Sequence, residues 1–502
     1  MKNFNPRVFG RTKATAITLL CGFALPSLTH AATVTVGSGG NTTSNWDNNW
    51  TNASVPSANL PNNVLPAASA SDTAIINQNR TVQVDSAIDI VAGRVIVANT
   101  NGGAFNDTSL EINTGGTLNT GELILSANDD AGTLEVQGGT LTSSSLDTRA
   151  NGTANVSSGI LNSGNVRARS GTTTSGAVNV SGTGTVNATG TTTVDSGTMN
   201  GSLNVSGGSY NGAAFAVSGN VNVSGTGAVT ATGDTTVSNG GTYEVSGGTV
   251  NTASNKVIVE TGGNFNVSGG DVTTQSTSGT AGAALQLNGG DITVSSGTLT
   301  VNEFSAGGGT THVTNGTGTL HVTGGNFIFA GATSASDTIG FSNDTINISG
   351  GTFSATGGQI LTTGNPEFNI DGSGAIIQMD RLNLSAASRA TTFNFIMDAA
   401  GVSSVDQGSS SYADLAFVTL NIDGSEYAGS TGIIDLFNYT NIVSTAAAVN
   451  VTGLGVEGVD YNFEESTTEN YVRLNIINVV PEPSSALFAL TGMAGLLLRR
   501  RR

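Results

Sequence analysis

The sequence predicts an all-β chain built as a right-handed parallel β-helix, a β-solenoid of ~12 rungs. It predicts an N-terminal cap, a C-terminal β cap or small β-domain, and a short C-terminal hydrophobic helix. Three observations lead there. An eight-residue phrase recurs, clearest as Leu203-Asn204-Val205-Ser206-Gly207-Gly208-Ser209-Tyr210. Its centres recur at a nearly constant spacing. Gly, Ser, Thr and Asn saturate positions 100–380, where no extended 3.6-residue apolar stripe supports a helix.

The phrase reads as a strand followed by a turn. Alternation sets Leu203 and Val205 on one face and Asn204 and Ser206 on the other. Gly-Gly then permits a sharp bend at positive φ. Variants stand at 134–141, 178–186, 221–229, 243–250, 265–272, 285–292, 320–327 and 346–353, with valine, isoleucine, phenylalanine or tyrosine at the apolar sites.

The central apolar residues are Ile112, Val136, Val156, Val180, Val205, Val223, Val245, Val267, Leu287, Val322, Ile348 and Ile370. Successive gaps are 24, 20, 24, 25, 18, 22, 22, 20, 35, 26 and 22. A three-sided coil needs three strands of about 4–6 residues plus bends, close to this period. The polar partners Asn155, Asn179, Asn204, Asn222, Asn266, Asn347 and Asn369 are then placed to form an asparagine ladder. A sandwich of antiparallel hairpins is the rival, since it too has regular turns.

Taken in order, residues 1–31 read as a secretory signal. Lys2, Arg7, Arg11 and Lys13 precede an apolar stretch, Ala14 to Leu25, that is short for a membrane span. Cleavage is expected after Ala31. Residues 32–84 read as the N-terminal cap. They hold both tryptophans, Trp46 and Trp50, and two strand-like runs, Thr73 to Ile76 and Thr81 to Val84. Large aromatics suit a cap that shields the first rung; an aromatic platform for sugar rings is the alternative. Residues 85–374 are the repeat body, with no charge run or proline-rich hinge. From 375 to 480 the texture changes, and larger strand-like runs at 393–397, 415–422, 432–438 and 471–480 read as a cap or small β-domain.

Charge and cysteine bound the chemistry. Between Ala32 and Val480 nine basic residues face 34 acidic ones, leaving that stretch at −25 in a chain of formal net charge −18. A body so poor in cations offers few groups to neutralise phosphates, which argues against nucleic acid. Solubility explains the acidity; weak divalent-cation binding is the sharper reading. The single cysteine, Cys21, lies in the leader, so the body has neither disulfides nor thiolate chemistry.

Catalytic or metal sites need carboxylates that converge, and here they are scattered: Asp195, Asp234, Asp271 and Asp291 stand singly. Asp271 and Asp291 each follow Gly-Gly and are candidates to stack on neighbouring rungs. Asp129-Asp130 and Glu464-Glu465 read as loop charges. His312 and His321 lack metal-ligand spacing and read as exposed sheet residues. Thr172 to Thr174 and Thr191 to Thr193 raise the idea of an ordered-water surface, although threonine is simply a good strand residue. No catalytic residue, metal site or cofactor is assigned. The Asn-Val-Ser sequons read as by-products of the strand pattern.

The tail, 481–502, carries Pro481-Glu482-Pro483, then apolar Ala486 to Leu498, then Arg499, Arg500, Arg501 and Arg502. Thirteen apolar residues make ~20 Å of helix, less than the ~30 Å hydrocarbon core, and snorkelling arginines extend its reach. The positive end sets the C-terminus in the cytoplasm and the body outside. This tail resembles a PEP-CTERM sorting signal. The resemblance implies recognition and cleavage by an exosortase, a transient stay in the inner membrane, and delivery to the cell surface or extracellular matrix. The same tail is also catalogued as an ice-binding-protein C-terminal domain. The Asn45-to-Trp50 opening, Asp72-Thr73-Ala74 and the glycine-turn repeats are similar to autotransporter-associated β-repeat proteins. The expectation is a surface-sorted structural or adhesive solenoid, not an enzyme, facing exopolysaccharide or surface glycans. The alternative is a carbohydrate-active β-helix enzyme, a polysaccharide lyase or hydrolase.

Overall fold

The computed structural model describes residues 81–479 apart from gaps at 85–89, 99–107, 128–129, 253–254, 276–283, 303–309, 313–316, 331–337, 363, 385–389 and 408–411. It also describes the strands Thr33–Val36, Thr43–Asn45 and Thr73–Ile76, and Met493. The Asn45-to-Trp50 opening beyond Asn45 and the tail motif lie outside the described residues, as does Ala31.

The chain is a β-solenoid of about 12 turns from residue 81 to residue 423. Each coil stacks on the one before it through parallel backbone ladders. The only antiparallel ladders among the described strands are the two made by Tyr471–Ile476, near the C-terminal end. An antiparallel sandwich is thereby excluded.

Three columns of strands run along the molecule. The first holds the valine phrase: Ile112 faces Val136, Val136 faces Val156, and the run continues through Val180, Val205, Val223, Val245 and Val267. The second carries Leu118, Leu141, Leu161, Val186, Tyr210 and Val229 in register. The third carries Val194, Val217, Val237, Val259 and Leu287. All of these side chains point into one dry core that runs the length of the coil. Alternation is strict: Ser202–Val205 and Asn220–Val223 bury every second residue and leave the others half-exposed.

The register corrects one expected centre. Leu287 belongs to the third column, facing Val259. The first-column residue of that coil is Val294, between Val267 and Val322. The uneven gaps of 20 and 35 on either side of Leu287 become spacings of 27 and 28 residues about Val294. The reason is local. In Phe265 to Val272, Gly269-Gly270 forms the corner between the first and second columns. In Leu285 to Ile292 the same-looking Gly289-Gly290 forms the corner between the third column and the next first column. Two different bends share one phrase.

The corner glycines are required by close approach. Gly208 has φ +66°, and a Cβ there would lie 2.2 Å from the carbonyl oxygen of Gly184 in the coil below. Both the backbone conformation and the neighbour reject a side chain.

The first column does not stop at Gly374. It runs on through Ile370, Phe395, Ile422 and Val451. The change of texture past Ala375 reflects bulkier core residues within the same coil. Phe368 stacks on Phe393 at 4.7 Å between ring centroids, and Phe437 meets Phe393 edge-on at 5.2 Å. Beyond Asp423 the end is closed on one side: Gly432–Asn438 pairs with Tyr471–Ile476, which pairs with Tyr461–Ser466. Glu464 and Glu465, expected in a loop, sit on that last strand. Glu464 holds Arg473 at 2.7 Å, and Glu465 accepts the Ala446 N–H at 2.5 Å.

Two tyrosine hydroxyls inside the coil are paired. Tyr210 is fully buried, and its hydroxyl meets Thr192 Oγ1 at 2.8 Å. Tyr439 donates to the Met379 carbonyl at 2.6 Å. Burial pushes the phenols of Tyr210, Tyr243 and Tyr439 above their ordinary range. A raised folded-state value contributes stability below the unfolded phenol value, near pH 10, and that contribution is lost as pH rises above it. Alkaline titration followed by tyrosinate absorbance and circular dichroism should therefore show these phenols ionising together with unfolding, above about pH 10. Gly208→Ala should cost ~1–3 kcal/mol from backbone strain alone, read as an earlier denaturant midpoint.

Candidate functional site

The most regular outward feature lies on the first column. Each first-column strand alternates two core residues with an outward polar residue between them, and parallel stacking sets that residue directly over its counterpart. Asn155, Asn179, Asn204 and Asn222 are joined in one run. Asn179 Nδ2 donates to Asn155 Oδ1 at 2.8 Å, Asn204 to Asn179 at 2.8 Å, and Asn222 to Asn204 at 2.7 Å. Towards the N-terminus, Asn155 Nδ2 donates to Glu135 Oε1 at 2.6 Å. Glu111 lies in register with Glu135 and accepts from Gln83 Nε2 at 2.7 Å.

The line continues through Glu244, Asn266, Thr293 and His321 by register. A second amide run then begins. Asn347 Nδ2 meets His321 Nδ1 at 3.2 Å, and Asn369 donates to Asn347, Asn394 to Asn369, Asn421 to Asn394 and Asn450 to Asn421 at 2.6–2.8 Å. Within each run the asparagines all donate towards the N-terminal end. Such aligned dipoles reinforce one another.

All seven asparagines expected in a ladder stand in this line. Sequence reasoning missed Glu111, Glu135, Glu244 and His321, whose side chains break the Asn-Val-Ser wording while keeping its place. It also missed Asn394, Asn421 and Asn450, beyond the expected end of the repeats. A shorter ladder on the second column went unnoticed: Asn187 donates to Asn162 and Asn211 to Asn187, both at 2.9 Å. The signal was present as an apolar residue followed by asparagine after each corner.

The scattered carboxylates are held apart. Asp195 pairs with Arg167 at 2.8 Å, and Asp234 accepts the Lys256 N–H at 3.1 Å. Asp271 and Asp291 do not stack: Asp271 lies between Thr249 and Thr298 on the second column, Asp291 between Asn264 and Thr319 on the first. The two-corner ambiguity of Gly-Gly again explains the difference. The densest charge cluster is Asp147, nearly buried. Arg169 grips it with Nε at 2.6 Å and Nη2 at 2.8 Å, and Arg149 Nε adds a contact at 3.0 Å. The hydrogen bond to Asp147 raises the Arg169 guanidinium further above its already high range. Two arginines occupy this carboxylate, so it is built as an ion-pair strut.

Among the described residues no group of three or more His, Cys, Asp or Glu side chains is placed to hold a metal ion. The two threonine runs form no common array. Thr192 points inward and is buried, and residues 171–174 belong to a loop bridged to Met199. Pro481, Glu482, Pro483 and Arg499 to Arg502 lie outside the described residues. No helix among the described residues is long and apolar enough to cross a membrane. No family model, curated protein or solved structure matches the chain.

Asn204→Asp keeps the acceptor for Asn222 but sets an oxygen against Asn179 Oδ1. It should destabilise these coils by about 1–2 kcal/mol, seen as faster amide hydrogen exchange in Ala177–Val180 and Asn220–Val223.

Proposed function

We propose that this chain is an exported β-solenoid of structural or adhesive type, sorted through its PEP-CTERM-like tail and acting at the cell surface or in the extracellular matrix. The observation that carries the reading is the outward amide ladder. Its asparagine runs offer uncharged donors and acceptors along the coil, the chemistry that meets glycan hydroxyls. Two further features support it. Asp195 and Asp147 are clamped by arginine, Asp271 and Asp291 stand on different columns, and the stacked Glu111 and Glu135 accept from Gln83 and Asn155, a poor arrangement for acid–base catalysis on a sugar. The acidity of the body favours neutral over acidic polysaccharide, because like charges repel at short range.

In sorting, the tail would engage an exosortase, with Pro481, Glu482 and Pro483 as the recognised motif and Arg499 to Arg502 holding the cytoplasmic side. Leader removal at Ala31 would come first.

Purified protein should co-sediment with neutral polysaccharide while no new reducing ends or unsaturated products accumulate. Sustained turnover of any polysaccharide would replace this reading with the lyase or hydrolase one. A form ending at Val480 should lose the location of the full chain; identical location without processing of either form would remove the sorting role.

A further inference from the structure

Among the described residues, the C-terminal end of the coil is covered by a strand on one of its three columns, tied by a side chain on another and open on the remaining one. On the second column, the outermost parallel strand Gly432–Asn438 is covered by Tyr471–Ile476. On the third column, the Ile442 N–H donates to Asn470 Oδ1 at 2.9 Å, which occupies that edge. On the first column, Ala448–Thr452 pairs with Val418–Asp423 on one side and with no strand among the described residues on the other.

Three features set this edge apart. Its core-facing residues are half-exposed: Val449 and Val451 stand where Leu420 and Ile422, one coil earlier, are fully buried. It carries no charge and no proline, the usual guards of an exposed strand. The neighbouring strand Tyr461–Ser466, by contrast, bears Glu464 and Glu465. Finally, the amide ladder ends there unfinished. Asn450 donates to Asn421, and its Oδ1 accepts from no donor among the described residues.

The other end of the molecule supplies a strand of matching kind. Thr43–Asn45 opens the first column, with Asn45 in register with Gln83 at the ladder position. It is uncharged, and no described strand precedes it on that column. The chain's own tail is a poor occupant of the open edge: Pro481 and Pro483 lack backbone donors, and the apolar stretch after them carries no amide for the ladder.

We propose that copies of this chain join head to tail, Thr43–Asn45 of one copy adding in parallel to Ala448–Thr452 of another, with Asn45 over Asn450. The two surfaces differ, so the contact does not close on itself and propagates as a linear assembly. This assembly goes beyond the surface role proposed above and does not depend on it.

Neighbouring parallel strands bring paired Cα atoms to ~4.8 Å, within the ~4.4–6.8 Å that a disulfide spans. In the full chain carrying Cys21→Ala, the pair Asn45→Cys and Asn450→Cys should cross-link on mild oxidation into dimers, trimers and longer species, and either cysteine alone should not. In the otherwise unmodified chain, Asn450→Lys should weaken self-association about tenfold or more in sedimentation velocity, with an unchanged circular dichroism spectrum. Three results would overturn the proposal. One is a chain that stays monomeric at every concentration, with a double-cysteine form that never cross-links between copies. Another is dimerisation through Asn450→Cys alone as strong as with the pair, which would assign a tail-to-tail contact. The third is self-association that appears only when the chain is cut at Val480, which would make the tail the occupant.

Discussion

Coil-on-coil register is the constraint from which the other features follow. Each strand gives its backbone donors and acceptors to the strands before and after it, so every residue sits over its counterpart ~4.8 Å away. Side chains are therefore sorted by position. An inward valine meets valine or isoleucine, as Val205 meets Val180 and Val223, and an outward asparagine meets asparagine. The core is dry because the backbone is satisfied along the axis. Stability in such a stack is a sum of single coils and nearest-neighbour contacts, so a local defect is felt mainly by the coils on either side.

The same sorting governs charge. Stacked carboxylates repel, and where Glu111 lies over Glu135 the chain answers this by flanking the pair with amides. Gln83 and Asn155 bracket Glu111 and Glu135, while Arg94 reaches Glu122 at 2.5 Å and Arg167 reaches Asp195. Arg94, Arg167 and Arg169 sit on carboxylates of adjacent coils, and Arg149 and Arg473 on nearer ones. They are spent on neutralising the stack, which leaves the outer surface acidic and dominated by uncharged amides.

The fold was readable because period-two alternation and the roughly 22-residue recurrence both survive in the wording of the sequence. Val136, Val180 and Val205 announce a column without help from distant contacts. What stayed hidden was hidden for a physical reason. Gly289-Gly290 and Gly269-Gly270 are the same dipeptide at two different corners, because any bend that passes close to another backbone asks for a missing Cβ. Leu287 was therefore assigned to the wrong column, and Asp271 and Asp291 to one place. The ladder was legible where asparagine repeats and illegible at Glu135 or His321, since an outward site tolerates any polar group that can reach its neighbour. Past Ala375, phenylalanine replaces valine in the core, and bulk disguised continuity as a new domain. The open edge at Ala448–Thr452 leaves no mark in local sequence, because it is defined by the absence of a following strand among the described residues.

The clash that forbids a side chain at Gly208 also bears on how such a chain can change in length. A single inserted residue inside a strand would turn its inward valines outward and carry every later bend off the carbonyl beneath it. Adding or removing one complete circuit leaves each remaining bend above its proper neighbour. Variation in size should therefore come in quanta of whole circuits, with smaller insertions confined to excursions such as the loop at 169–176, where the backbone has already left the stack.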